Sequence, residues 1–172
     1  LMTNAMPKLG RLVLTPMLNE FGRLIGDFTI AKAGDEDFMV WGSSAAQRYH
    51  MRWFEKHLPK DGSIRIHRYD LTLVGLSIAG PQARNLLAKL TDDDVSNAAF
   101  RFMDFRKMDV GGAPCMVNRV TYTGDLGYEI WMEPAYQQAI YRAIKAAGGQ
   151  VRRGERGTTG IYYLTKGEEV VD

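Results

Sequence analysis

The chain has few of the residues that build covalent crosslinks and metal sites. Its 172 residues include one cysteine, Cys115, and three histidines. A single cysteine cannot form an internal disulfide, and His50, His57 and His67 do not show the ligand spacing of a zinc site. We therefore expect a reducing compartment and no structural metal.

Long apolar runs and a strong charge bias are also missing. No run reaches the ~18 residues of a membrane span, and the N-terminus lacks the basic, apolar and small-residue order of a signal peptide. The formal net charge is +2, and the basic residues are scattered among acidic ones. Neither a membrane nor nucleic acid is an expected partner. We expect a cytoplasmic location in a bacterium, or the mitochondrial matrix in a eukaryote.

The patterning that is present predicts an α+β protein. A composition of 45% hydrophobic and 24% charged residues excludes the disordered and fibrous classes. Two subdomains are predicted, a small α+β piece over residues 1–68 and a ferredoxin-like α+β unit over residues 69–149. Both would have antiparallel sheets with helices on one face. A charged, glycine-rich tail follows over residues 150–172, and in it only residues 161–164 are typical of a strand.

The first subdomain begins with a hairpin signal. Strand-like residues 12–18 and 24–30 flank a turn that ends in Gly22, which supplies a positive φ. A third strand is predicted over residues 38–41. Ser44 and Gln47 then form a capping-box pattern ahead of a helix that must end near Pro59. The apolar face of that helix is predicted to carry Ala46, Tyr49 and Trp53.

The second subdomain reads as β-α-(β)-β-β-α, which is the order of a ferredoxin-like sandwich. A strand over residues 69–79 leads through Gly80-Pro81 into a short helix. A hairpin follows, with strands over residues 115–123 and 128–133. Pro134 then opens an amphipathic helix that a Gly-Gly pair closes.

Asp27 places a carboxylate in a segment otherwise typical of a buried strand. An unpaired buried charge costs several kcal/mol or becomes neutral, so this side chain is solvated, paired or used. The residue types alone leave two interpretations open. Gly26-Asp27 is either a strand kink that faces water or part of a site.

Glu129 follows a glycine-rich turn and neighbours a large aromatic residue. Strand alternation places Tyr128, Ile130 and Met132 on one face, and Glu129 with Trp131 on the other. A carboxylate in that position can accept two parallel N–H donors from a flat heterocycle beside an aromatic face. The alternative is a solvated glutamate on the open side of a one-faced sheet.

Four segments together resemble a known family. LVLTPMLNEFGRLIGDFTIAK, YHMRWFEKHLP, LSIAGPQARNLL and YTGDLGYEIWMEP are similar, in this order, to segments of the glycine cleavage T-protein (aminomethyltransferase) superfamily. The best match is the folate-binding C-terminal region of dimethylglycine and sarcosine dehydrogenases. The likeness covers about residues 8–148, so the chain looks like a fragment of a longer enzyme.

The resemblance implies tetrahydrofolate-dependent one-carbon transfer. It makes Asp27 the catalytic carboxylate, and it makes Glu129 the residue that grips the pterin ring. Tyr122 and Trp131 are implied to line the same cofactor-binding pocket, and no metal is implied. The partners implied are folate and an iminium derived from a methylated amine. FAD is expected only in an N-terminal domain of a longer parent.

Two departures from the family pattern are informative. T-proteins that act on a lipoyl-bound group usually have Asp-Asp where this chain has Gly26-Asp27, so the resemblance favours the flavin-linked branch over a lipoyl-protein partner. The tail over residues 150–172 does not resemble the family's continuation. A noncatalytic folate-binding or scaffolding module, inactive as a fragment, is therefore the alternative to an enzyme.

Overall fold

The computed structural model describes residues 4–43, 45–153 and 162–165. The chain divides into two compact units, Leu1–Tyr69 and Asp70–Asp172. The predicted α+β class with antiparallel sheets is confirmed. The described elements, in chain order, are β1 (Leu12–Leu18), β2 (Leu24–Lys32), β3 (Phe38–Trp41), α1 (Gln47–His57), β4 (Val74–Ala79), α2 (Ala83–Leu87), β5 (Phe105–Val110), β6 (Ala113–Asn118), β7 (Gly127–Met132), α3 (Pro134–Ala146), β8 (Gln150–Arg153) and β9 (Tyr162–Thr165).

The first unit has a three-stranded antiparallel sheet in the order β1-β2-β3. The β1–β2 turn forms as the sequence predicts, because Gly22 adopts a φ of +73°. The Asn19 side chain also fixes this turn. Its Oδ1 accepts hydrogen bonds from the backbone N–H groups of Phe21 and Arg23, at 3.0 and 2.9 Å. The turn is thus stabilised by the positive φ of its glycine and by hydrogen bonds to its asparagine, both of which the local sequence specifies.

The helix α1 differs from its prediction at its start. It begins at Gln47 after the N-cap residue Ala46, and no side chain makes a cap hydrogen bond. The predicted capping box is therefore wrong, because a helix with Ser44 as its N-cap would begin two residues earlier. Ser44 itself lies outside the described residues. The helix ends at His57, as the proline at position 59 requires.

The apolar face of α1 is also shifted from the prediction. His50 is the buried residue of the helix, while Tyr49 is 56% exposed. Trp53 and Phe54 pack against the core of the unit, which is formed by the buried side chains Met17, Phe28 and Ile30. The face that packs therefore follows the i, i+3, i+4 spacing from His50.

The second unit has a six-stranded sheet in the order β5-β6-β7-β4-β9-β8. The neighbours are antiparallel except for β4 and β9, which run parallel. The helices α2 and α3 pack against the sheet residues of one core cluster, and Ile140 and Ile144 of α3 are fully buried in it. The predicted order of elements from β4 to α3 is confirmed.

The strand predictions in this unit differ from the structure mainly at their ends. The strand predicted to start at residue 69 starts at Val74, since Asp70 has a φ of +46° that an extended strand cannot contain. In the tail, β9 (Tyr162–Thr165) lies close to the predicted strand and pairs with β4. The expectation of a single strand in the tail is wrong, because β8 (Gln150–Arg153) pairs with β9. Residues 154–161 and 166–172, and with them most of the predicted tail, lie outside the described residues.

Candidate functional site

The strand β7 (Gly127–Met132) sets the direction of its side chains as the alternation predicts. Tyr128, Ile130 and Met132 are buried in the core of the second unit. Glu129 and Trp131 lie on the opposite face of the sheet, where each is half-buried. The prediction that these two residues share a face away from the core is confirmed.

Glu129 is held between two neighbouring strands. Its cross-strand partners are Asn118 on β6 and Ser77 on β4. The Asn118 amide Nδ2 donates a hydrogen bond to Glu129 Oε2 at 3.3 Å, and the nearby Trp131 side chain lowers the pKa of the same carboxylate. Both groups are neutral. The carboxylate is therefore oriented by a hydrogen bond from the neighbouring strand.

Burial governs the electrostatics of this carboxylate. Desolvation raises the pKa of Glu129 above its ordinary value, and the neighbouring Asn118 and Trp131 side chains oppose that rise. Asn118 is fully buried, and its Oδ1 has no hydrogen-bond partner in the described part of the chain. An N–H donor supplied by a ligand would stabilise the ionised Glu129 carboxylate.

Trp131 lies against a strand position that carries no side chain. Its cross-strand partner is Gly75 on β4, and a Cβ at Gly75 would lie 2.9 Å from two atoms of the indole ring. Only glycine leaves room for the ring at this place. The position of the Trp131 ring beside Glu129 therefore depends on the glycine at position 75 of β4.

Tyr122 is placed differently from Glu129 and Trp131. It lies in the loop over residues 119–126, between β6 and β7, and its side chain is 92% exposed. The loop is tied by a hydrogen bond from Thr121 Oγ1 to the carbonyl of Asp125, at 2.9 Å. The structure thus brings Glu129 and Trp131 together, with Asn118 as a third member, and leaves Tyr122 on a loop.

Asp27 lies on β2 in the first unit. It pairs across the strands with Pro16 of β1 and is exposed, while the next residue, Phe28, is buried in the core. By strand alternation the carboxylate projects from the face opposite Phe28. It makes no hydrogen bond or ion pair with the described residues, so it is available to a ligand or to water.

Steric packing explains why the residue before Asp27 is a glycine. A Cβ on Gly26 would lie 2.5 Å from His50 Nε2, so any larger residue at this position would displace the imidazole. The absence of a second acid in front of Asp27 is therefore coupled to the packing of α1. The family pattern alone did not indicate this.

Comparisons with known proteins show to which family the chain belongs. The model of the GCVT N-terminal domain matches residues 1–164. The chain belongs to this family. Human mitochondrial dimethylglycine dehydrogenase is 33% identical over 165 residues, which are 95% of this chain and 19% of that protein. An aminomethyltransferase of Geobacillus kaustophilus is 31% identical over 153 residues, which are 87% of this chain and 41% of that protein.

Two solved structures share the fold of this GCVT N-terminal domain. The aminomethyltransferase T of the glycine cleavage system from Bartonella henselae matches 91% of this chain and 38% of its own, with a TM-score of 0.66 at 19% identity. The heterotetrameric sarcosine oxidase of Corynebacterium sp. U-96 matches 81% of this chain and 64% of its own, with a TM-score of 0.57 at 13% identity. The chain thus spans about a fifth to two fifths of the curated relatives' length.

Other candidate chemistry in this GCVT N-terminal domain is limited. Cys115 is buried in the core of the second unit, and burial raises the pKa of its thiol to about 11, so its position is that of a packing residue. Within the described ranges, no group of three acidic, histidine or cysteine side chains could hold a metal ion. No helix in that part of the chain is long and apolar enough to cross a membrane.

Three residues of interest were not singled out from the sequence. Asn118 and Gly75 matter through their cross-strand pairing with Glu129 and Trp131, and His50 matters through its contact with Gly26. An isolated glycine in a strand does signal a close approach, and this was the available clue for Gly75. The other two depend on strand register and helix packing, which local patterns do not specify.

Proposed function

We propose that the chain is the tetrahydrofolate-binding part of an enzyme that transfers one-carbon units from methylated amines, of the dimethylglycine or sarcosine dehydrogenase type. The observation that carries this proposal is the half-buried Glu129 carboxylate beside the Trp131 ring. Membership of the GCVT N-terminal domain family and the similarity to human dimethylglycine dehydrogenase support it.

The residues around Glu129 fit the pterin ring in chemistry. A pterin presents adjacent N–H donors along one edge of a flat ring, and a carboxylate accepts two parallel donors. The half-buried Glu129 carboxylate accepts one side-chain hydrogen bond, from Asn118, so it has capacity left for such a ligand. Trp131 offers an aromatic face next to the carboxylate. We assign Glu129 to gripping the pterin edge, and Trp131 and Tyr122 to lining the pocket.

Asp27 is the proposed catalytic carboxylate. When bound, tetrahydrofolate supplies the nitrogen atoms that take up the one-carbon unit from an amine-derived iminium. The exposed Asp27 carboxylate has no other partner among the described residues, so it is able to accept or release a proton during that transfer. The Gly26-Asp27 sequence, in place of two acids, supports a methylated amine over a lipoyl arm as the source.

Binding is tested by titrating tetrahydrofolate into the chain in a calorimeter. We expect Glu129→Ala to weaken the affinity at least tenfold, because a hydrogen bond to a charged group contributes about 1.5–3 kcal/mol. The exposed Glu133→Ala, four residues along the same segment, is the matched control and should leave the affinity unchanged. Equal affinity of Glu129→Ala and the wild-type chain would refute the assignment of Glu129.

Catalysis is tested by the rate of 5,10-methylenetetrahydrofolate formation above the uncatalysed rate, with formaldehyde as the one-carbon donor. We expect Asp27→Asn to lower this rate about 100-fold, the lower end of what general acid–base catalysis contributes. The Kd for tetrahydrofolate should stay within about twofold. Asp35→Asn, an exposed acid of the same unit, is the control.

The two measurements together separate the enzyme from the noncatalytic alternative. Tetrahydrofolate binding without any acceleration by the wild-type chain would support a binding module. Acceleration that Asp27→Asn retains in full would remove Asp27 from the proposed catalytic role. Absence of both binding and acceleration would leave scaffolding as the function of this chain.

A further inference from the structure

We infer that His50 is the positioning residue for Asp27. Its ring, carried by α1, holds the backbone of β2 at the two residues that precede the carboxylate. The inference rests on the proposed catalytic role of Asp27 and adds to it a residue on a separate element.

The contact of His50 with β2 is specific in its chemistry. Nε2 of His50 lies 3.2 Å from the carbonyl oxygen of Ile25. A carbonyl oxygen only accepts, so Nε2 carries the proton and donates it. The imidazole is 5% exposed and meets the ring of Phe28 edge-on, with centroids 4.8 Å apart. The ring is therefore held in one place while it makes this bond.

The part of β2 that carries Asp27 has little other support from strand pairing. The strand β3 pairs with β2 only from Thr29 to Lys32, so residues 24 and 26–28 are paired with β1 alone, and Ile25 has no partner in the β1–β2 register. Across from Asp27 stands Pro16, which has no N–H to donate to the ladder. The register of the hairpin also shifts between Met17 and Leu18. His50 thus supplies a hydrogen bond to Ile25, the residue that the register shift leaves without a β1 partner.

Gly26 and His50 fit together sterically. Its missing side chain leaves the space that His50 Nε2 occupies, since a Cβ there would come within 2.5 Å of the nitrogen. A residue that only filled the core would be replaceable by leucine. A residue that positions β2 must keep a donor at the place of Nε2, which glutamine offers and leucine does not.

The structural arm of the test is amide hydrogen exchange at Asp27 and Phe28, measured by NMR on the whole chain. His50→Leu is expected to speed this exchange at least tenfold, while His50→Gln stays within threefold of the wild type. His57→Leu makes the same chemical change at an exposed histidine of the same helix and is the control. Equal exchange in His50→Leu and the wild type would overturn the inference.

Gly26→Ala gives a second approach if His50→Leu folds poorly. The added methyl group should displace the imidazole and speed exchange at the same two amides. In a His50→Ala background, where the space is free, Gly26→Ala should speed amide exchange by less than a further threefold. Independent, multiplying effects of the two changes would contradict the pairing of Gly26 with His50.

The functional arm measures kcat for methylenetetrahydrofolate formation and the Kd for tetrahydrofolate. We expect His50→Leu to lower kcat about tenfold with Kd within twofold, and His50→Gln to recover most of the rate. A loss that glutamine does not recover would leave His50 with a packing role only. If the wild-type chain neither binds nor reacts, the proposed function fails, and the exchange arm still decides whether His50 holds β2.

Discussion

Glu129 occupies a position where ionisation opposes folding. Its carboxylate has lost part of its hydration, and desolvation is the largest cause of its raised pKa. The hydrogen bond from Asn118 and the nearby Trp131 side chain recover part of this cost. Perturbed carboxylates of this kind are concentrated at functional sites, although ion-pair networks also produce them. The donors around Glu129 are neutral, which distinguishes it from a structural ion pair.

The raised pKa of Glu129 predicts how stability depends on pH. The folded chain holds the Glu129 proton to a higher pH than the unfolded chain. Stability is therefore fully present below the ordinary carboxyl pKa and is lost as the pH rises through the raised value. Glu129→Gln has no proton to lose, so it should gain stability relative to the wild type between pH 4 and pH 7.

Urea unfolding at the two pH values measures this effect. Glu133→Gln is the control, since Glu133 is exposed and should keep the wild-type dependence on pH. Identical pH dependence in Glu129→Gln and the wild type would show that Glu129 is solvated in the folded chain, which was the alternative that the sequence left open.

The sequence predicted site residues to the extent that a local period determines them. The period of two along β7 placed Glu129 and Trp131 on one face, opposite Tyr128. The same pattern contains nothing about Asn118, because the pairing of β6 with β7 depends on the length and path of the loop between them. Asp27 was found as an exception to an apolar strand, whereas its relation to His50 depends on how α1 packs.

At the scale of elements, the strands and α3 were predicted more closely than α1. Ile140 and Ile144 are buried because they lie one helical turn apart on an apolar stripe. In α1 the buried residue is a histidine, so an apolar period does not find its face. The packing of a polar ring against Gly26 replaced the apolar contact that the pattern favours.

The β1–β2 hairpin offers a test of turn chemistry at this scale. Gly22 has a φ of +73°, and a Cβ there would meet nothing within 4 Å. Gly22→Ala should therefore destabilise the first unit by about 1–2 kcal/mol through backbone strain alone. Gly22→Asn should cost less, because asparagine tolerates the left-handed region.

Urea unfolding followed by the fluorescence of Trp41 and Trp53 measures this change, since both residues lie in the first unit. A Trp131→Phe background removes the signal of the second unit. Equal stability of the alanine and glycine forms would contradict this prediction, because it would mean that the turn does not require the positive φ of Gly22.

At the scale of the whole molecule, two cores share one chain. The first unit is built around Met17, Phe28 and Ile30, and the second around the cluster that includes Tyr128 and Ile130. Asp27 lies in the first unit and Glu129 in the second. The two proposed roles, proton transfer and pterin binding, are therefore assigned to different units of the chain.

Ligand binding to the whole chain should stabilise the unit that carries Glu129. A ligand that binds only the folded state at 100 times its Kd adds about 2.7 kcal/mol to the free energy of unfolding. With tetrahydrofolate at that excess, amide exchange at Val117 and Ile130 should slow about 100-fold, because both residues lie on strands that hold Glu129. Exchange at these buried amides reports on the second unit even when the two units unfold separately.

The control variants decide whether this protection comes from the proposed site. Glu133→Ala should keep the slowing of exchange, and Glu129→Ala at the same tetrahydrofolate concentration should lose most of it. Protection that Glu129→Ala retains would place the folate elsewhere on the chain, because the Glu129 carboxylate is the feature that favours a ligand rich in N–H donors at this face.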